Sequence, residues 1–274
     1  MRTLKLTLAY DGTRYAGWQV QKTRGRPAPA LAMDGPGRSE ARGQKPTIQG
    51  VLESALSRIL REPVRVIGSG RTDAGVHAIA QAAHLSTRSP IARGRLLRSV
   101  NALLPPDIAV TDIEEAPSGF HARFSARRKH YRYRIHTGAV VLPFIRPYVH
   151  HVRRPLNLAL MRREAQALVG THRFRGFARL RAPGQETRRT ITSVRLVRKG
   201  TELQLEIEGN GFLHTMVRSI AGTLLDIGRG RLPPGTVRRL LRAPPLVGAG
   251  RAPDRRLAGT TAPACGLTLV SVVY

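Results

Sequence analysis

Leu4, Leu6 and Leu8 alternate with polar residues until Tyr10-Asp11-Gly12 supplies a turn signal, so the chain opens on a strand with one buried face. Residues 22–46 are rich in Gly, Pro and charge and follow no period, which predicts a surface loop or insertion. Thr47 is placed to cap a helix, because Ile48, Val51, Leu52, Ala55, Leu56, Ile59 and Leu60 then fall on one stripe. The β-branched run 64–67 predicts a short buried strand, followed by a strand over 77–86, a helix over about 91–103 and a strand over 108–113. Further on, 129–136 alternates cleanly. Tyr131, Tyr133 and Ile135 share one face, and His130, Arg132, Arg134 and His136 share the other. A helix over about 157–169 comes next, then a hairpin of 190–197 with 202–208. Phe212, Met216, Ile220 and Leu224 form a helical stripe that Gly228 ends, and 267–274 is an apolar terminal strand.

Each half thus sets a sheet around one long amphipathic helix. The pattern predicts an α+β fold of two similar lobes, each an antiparallel or mixed sheet backed by helices, with a cleft between them. The lobes are expected over 1–115 and 116–274.

Composition narrows the partner. The 274 residues hold 46 Lys and Arg against 17 Asp and Glu, a formal charge of +29, and only five of the cations are lysines. An excess of this size calls for a polyanion, most simply nucleic acid. An acidic membrane surface is the competing partner, but no basic amphipathic helix or lipidation signal accompanies the charge. The one cysteine, Cys265, cannot form an internal disulfide and fits a reducing compartment. No apolar stretch reaches membrane-spanning length and no secretory hydrophobic region opens the chain, so a cytoplasmic location is expected. The nine histidines show no metal-ligand spacing, and no phosphate-binding Gly-Lys loop is present. The 129–136 strand, with aromatics on one face and cations on the other, suits RNA: bases stack on rings while cations meet phosphates. The same pattern also fits tyrosines that simply fill a core.

The chemistry concentrates in Gly68-Ser69-Gly70-Arg71-Thr72-Asp73-Ala74-Gly75-Val76-His77-Ala78. Its glycines let the backbone turn sharply near a ligand. Asp73 lies two residues from the Arg71 guanidinium, which favours the ionised carboxylate and hence a nucleophile or electrostatic stabiliser rather than a general acid. Read locally, the segment is also compatible with an ordinary Asp-Ala-Gly turn beside a solvated arginine. Arg218 sits within an apolar helix stripe, where it needs either a carboxylate partner such as Asp73 or a path to solvent.

Read together, these motifs resemble the tRNA pseudouridine synthase A family nearly end to end. The matching segments are Ala9-Tyr10-Asp11-Gly12-Thr13 with Gly17-Trp18-Gln19, the Thr47–Glu53 helix start, and Gly70–Ala78. They continue through Phe120-His121-Ala122-Arg123-Phe124-Ser125-Ala126 with Tyr131-Arg132-Tyr133, Asn210–Leu213 with Met216-Val217-Arg218, and Thr261–Ala264 with Gly266-Leu267. The resemblance implies the pseudouridine synthase fold and isomerisation of uridine to pseudouridine in the anticodon stem-loop of tRNA, positions 38–40. It implies Asp73 as the catalytic aspartate. It further implies Tyr131 stacking on the target base, Arg71 holding or flipping the nucleotide, Arg218 pairing with the aspartate and Leu267 lining the uracil pocket. The resemblance implies no metal or organic cofactor, and it implies a homodimer that binds one tRNA across both subunits. Two departures stand out. The 22–46 insertion lies where the family is usually short, and His172-Arg173-Phe174 replaces a common His-Asp-Phe.

Overall fold

The computed structural model describes residues 1–20, 45–180, 182, 184–242 and 258–274. Nearly all of the 22–46 insertion therefore lies outside the described residues. The chain forms two compact units, 1–125 and 126–274, each combining strands with helices in an α+β arrangement.

In the first unit, β1 (Arg2–Tyr10) lies between β3 (His77–Thr87) and β4 (Ile108–Glu115), antiparallel to both. Leu4, Leu6 and Leu8 are fully buried, as the alternation requires. Helix α1 (Ile48–Leu60) starts where its sequence signal lies: the Thr47 hydroxyl accepts the Gly50 amide proton at 3.2 Å. Its stripe, Ile48, Leu52, Ala55, Leu56 and Leu60, is buried. Helix α2 (Arg93–Leu103) is tied to β4 by Asn101, whose amide exchanges two hydrogen bonds with the Val110 backbone, at 2.8 and 2.9 Å.

The run 64–67 departs from the expected strand. Only β2 (Ile67–Gly68) pairs, with β3. Side chains of α1 take the backbone groups that a neighbouring strand would have satisfied. Val64 N donates to Ser57 Oγ and Val66 N to Glu53 Oε1, while Val66 O accepts from Gln49 Nε2. Val64 and Val66 still point inward, which is what the β-branched pattern reported.

The second unit is built on β5 (Arg128–His136), flanked antiparallel by β9 (Glu202–Gly209) and β10 (Leu267–Val273), with the short β6 (His150–His151) parallel to its end. The sheet continues from β9 to β8 (Arg188–Lys199) and ends at β7 (Gly170–Arg173). Helix α3 (Leu158–Gln166) is capped by Asn157, and its Glu164 reaches past its own element. The buried Glu164 carboxylate accepts the amide protons of Gly235 and Val237 at the start of α5 (Thr236–Arg242). Helix α4 (Met216–Gly228) is buried on nearly every side. It begins at Met216 because Thr215 sits in the left-handed region at φ 62°, so Phe212 precedes the helix.

The cationic face of β5 also differs from expectation. His130 and Arg132 both bind the Glu206 carboxylate, at 2.5 and 2.6 Å, and Arg134 makes a two-pronged contact with Glu202. Strand β9 places this acidic row beside the basic one, so these cations are engaged within the sheet. The alternation Glu202, Gln204, Glu206, Glu208 is visible in the sequence; which strand it adjoins is not.

Candidate active site

The Asp73 loop leaves β2 at Gly68 and enters β3 at His77, and side chains of the first unit pin it at almost every step. Gly68 lies against the Trp18 ring so closely that a Cβ would come within 2.6 Å of it. Ser69 N donates to Ala82 O at 2.7 Å, and Ser69 Oγ donates to Gln81 Oε1, also at 2.7 Å. The Gln81 amide then returns a proton to Gly70 O at 3.0 Å. Thr72 is held twice: its carbonyl accepts from Trp18 N at 3.1 Å, and its hydroxyl lies 2.8 Å from Tyr10 Oη. Burial pushes the Tyr10 phenol up to about 12, against the opposing hydrogen bonds to Thr72 and Gln81, so this contact is between neutral hydroxyls at any physiological pH.

Asp73 itself closes a turn, its carbonyl accepting the Val76 amide proton at 3.1 Å, with Gly75 at φ 77° completing the reversal. Gly17, at φ 97°, backs this turn from the other side. A Cβ there would lie 2.7 Å from Thr72 O and 3.1 Å from the Asp73 carbonyl carbon. Gly12 is equally tight against Val76, and its amide donates to His77 Nδ1. Arg71 is exposed and Asp73 half-buried. The backbone that carries Asp73 is therefore fixed from both sides before any ligand arrives. Sequence reasoning set Asp73 and Arg71 apart but gave no role to Tyr10, Trp18, Ser69 or Gln81. Tyr10 and Trp18 were legible only as members of the opening motif.

The other candidates fall in the second unit, near the 258–266 segment. Arg218 projects from α4, and its Nε donates to Ala262 O at 2.8 Å. Tyr133, fully buried on β5, donates its hydroxyl proton to Pro263 O at 2.9 Å. Burial holds that phenol far above its ordinary range, and Arg218 is close enough to oppose the shift. A 3-10 turn, Ala264–Gly266, then leads into β10, and Leu267 pairs in register with Tyr133. Gly266 is required there, because a Cβ would meet the Tyr133 ring at 2.8 Å. Leu267 is buried. Tyr131 is 7% exposed, and its ring meets Phe212 edge-on with centroids 5.1 Å apart. Most of the Tyr131 ring is therefore core. Arg218, Leu267 and Tyr133 converge on one backbone segment, while Tyr131 lies two register pairs further along β5 and β10.

The sequence matches the family described as tRNA pseudouridine synthase over residues 37–125 and 165–274. A protein of Geobacter sulfurreducens named tRNA pseudouridine synthase A is 43% identical over the full length of both chains. A Pelobacter propionicus protein of the same name is 42% identical, again over both full lengths. One from an Exiguobacterium species is 39% identical over this whole chain and 98% of its own. The chain belongs to the tRNA pseudouridine synthase A family. Membership accounts for the order of the motifs, from the strand-ending Tyr10-Asp11-Gly12 to the Gly266-Leu267 entry into β10. Pseudouridine synthases are isomerases, and the α+β units built here carry that family's motifs. Among the described residues, no group of three or more His, Cys, Asp or Glu could hold a metal ion, and no helix is long and apolar enough to cross a membrane.

Proposed function

We propose that this chain isomerises uridine to pseudouridine in the anticodon stem-loop of tRNA, at positions 38–40, and that it works in the cytoplasm as a homodimer. The observation that carries the reading is the Asp73 loop, a single carboxylate fixed by glycine contacts and a buried Tyr10–Thr72–Trp18 network. The net charge of +29 suits a polyanionic substrate.

The reaction breaks the N1–C1′ bond, turns the base and joins C5 to C1′. N1 gains a proton and C5 loses one, so no atom enters or leaves overall. A stacked uracil is inaccessible, so the nucleotide leaves the helix first. Arg71 and Arg218 bind the displaced nucleotide, Tyr131 offers the ring surface it leaves uncovered, and Leu267 lines the apolar side of the base. Asp73 then acts on the uridine, at C1′, at C6 or by taking the 2′ proton. A carboxylate carried on a fixed backbone needs no loop rearrangement for any of these steps.

The test is conversion of uridine in unmodified tRNA with a chelator present. Wild-type protein should form pseudouridine, and Asp73→Asn should form none while binding tRNA almost as well, since losing one anion does not weaken a phosphate interface. A variant that keeps turnover within about tenfold, ~1.4 kcal/mol of barrier, would remove Asp73 from the chemistry.

A further inference from the structure

At the far edge of the second unit's sheet, β7 and β8 place two arginines against each other. Arg173 is the register partner of Arg188, and both are exposed. Partners directly opposite in an antiparallel ladder have Cα atoms about 4.5–5.5 Å apart and side chains on the same face. The next pair on that face, Thr171 and Thr190, confirms the alignment, with hydroxyls 2.7 Å apart. Like charges in this position work against strand pairing. The nearby Glu186 supplies one negative charge against two positive ones: its Oε1 takes the Arg188 amide proton at 2.6 Å, and that bond, with the Arg188 and Arg173 charges after it, holds its carboxyl below the ordinary range. Arg189 adds a third cation beside the pair, its guanidinium turned back onto the Glu186 and Arg188 carbonyls.

We infer that Arg173 and Arg188 form a two-guanidinium clamp for a phosphodiester of the RNA substrate, outside the residues assigned to the reaction. The inference rests on the reading that the substrate is tRNA. Two planar forks at cross-strand spacing can each donate twin hydrogen bonds to phosphate oxygens, and a phosphate between them offsets the positive charge that the single Glu186 carboxylate leaves. The hydroxyl pair beside them supplies further neutral donors. In the motif this chain resembles, position 173 is an aspartate, which opposite Arg188 would make a closed ion pair and no phosphate site. The clamp is therefore a feature of this chain rather than of the motif.

The test uses the full chain with unmodified tRNA and three variants, Arg173→Gln, Arg188→Gln and Arg173→Asp. Each glutamine variant should lower the slope of log affinity against log salt by about one. Arg173→Asp should lower it further, because it also engages Arg188, and should raise the midpoint of unfolding by closing an ion pair. An Arg173→Asp protein that gains stability but keeps the wild-type salt slope overturns the clamp. Inorganic phosphate, added at constant ionic strength, should leave tRNA binding unchanged; competition would reassign the site to a free anion and overturn the RNA assignment. Wild-type conversion of tRNA alongside unchanged slopes in all three variants defeats the clamp alone. Wild-type protein that neither binds nor converts tRNA defeats the substrate reading, and the clamp falls with it.

Discussion

Arg218 and Ala262 hold each other at both ends. The Ala262 amide donates to the Arg218 carbonyl at 3.1 Å, and Arg218 Nε donates to the Ala262 carbonyl at 2.8 Å. One arginine therefore stitches the 258–266 segment to α4. Arg218→Ala should destabilise the protein by about 0.5–1.5 kcal/mol in denaturant unfolding, the worth of one such bond, and should also lose turnover. Arg218→Lys keeps the charge without the fixed fork and should fall between the two. Lost turnover with an unchanged unfolding midpoint would confine the residue to substrate contact.

One helical turn on, Gly222 is where the same segment crosses α4. A Cβ at Gly222 would lie 1.7 Å from the Thr260 carbonyl oxygen and 3.1 Å from Ala262 N. Both are backbone atoms, so neither can swing aside. Gly222→Ala raises helix propensity, and on an exposed helix that would stabilise. Here the steric conflict dominates, and the variant should lose at least about 1–3 kcal/mol. A calorimetric midpoint at or above wild type would show that the 258–262 segment does not rest on α4 in solution.

How much of this was readable from the chain depended on what each signal reports. The α1 stripe and its Thr47 cap were legible because a helix satisfies its own backbone and needs only one apolar face. Alternation placed Tyr131, Tyr133 and Ile135 on one face but left open whether that face met RNA or the core; all three are buried. The run 64–67 misled because apolar period reports burial and not hydrogen-bond partners, and α1 side chains supplied those partners. The cations of β5 misled for a related reason: their neutralisation depends on β9 lying alongside, a fact of topology. At the site, Asp73 announced itself through its glycines, whereas Ser69 and Gln81 act through contacts between residues 12 apart that no local pattern encodes.

His84 makes stability depend on pH. Its Nδ1 accepts the Ala122 amide proton at 3.1 Å. Burial first, and the neighbouring His121 second, hold its pKa below the ordinary 6.5. Above 6.5 the imidazole is neutral in both folded and unfolded chains. As pH falls below 6.5, the unfolded chain binds the proton first, so stability declines until the folded pKa is passed. His150, lowered by burial and by Arg229, adds a loss of the same sign. The unfolding midpoint should therefore drop between neutral pH and about pH 5, above the range where carboxylates ordinarily protonate. His84→Gln should flatten part of that drop, and an identical pH profile would show that the ring is solvated.

The Tyr10–Thr72 contact offers a way to separate positioning from chemistry. Tyr10→Phe keeps the ring buried and removes only the hydroxyl that lies 2.8 Å from Thr72 Oγ1. It leaves the Thr72 hydroxyl short of a partner in a buried site, so a stability loss of about 1 kcal/mol is expected. If the bond also aims the loop, kcat should fall by more than that stability loss alone requires, with KM for tRNA little changed. Thr72→Val breaks the same bond from the other side, and the double variant should be no worse than either single one. Because the phenol titrates only near 12, removing it should leave the shape of the pH–rate profile across the neutral range as it was. A profile that changes shape would mean that the Tyr10 hydroxyl exchanges protons during turnover. Additive losses in the double variant would mean that the two hydroxyls do not act through each other.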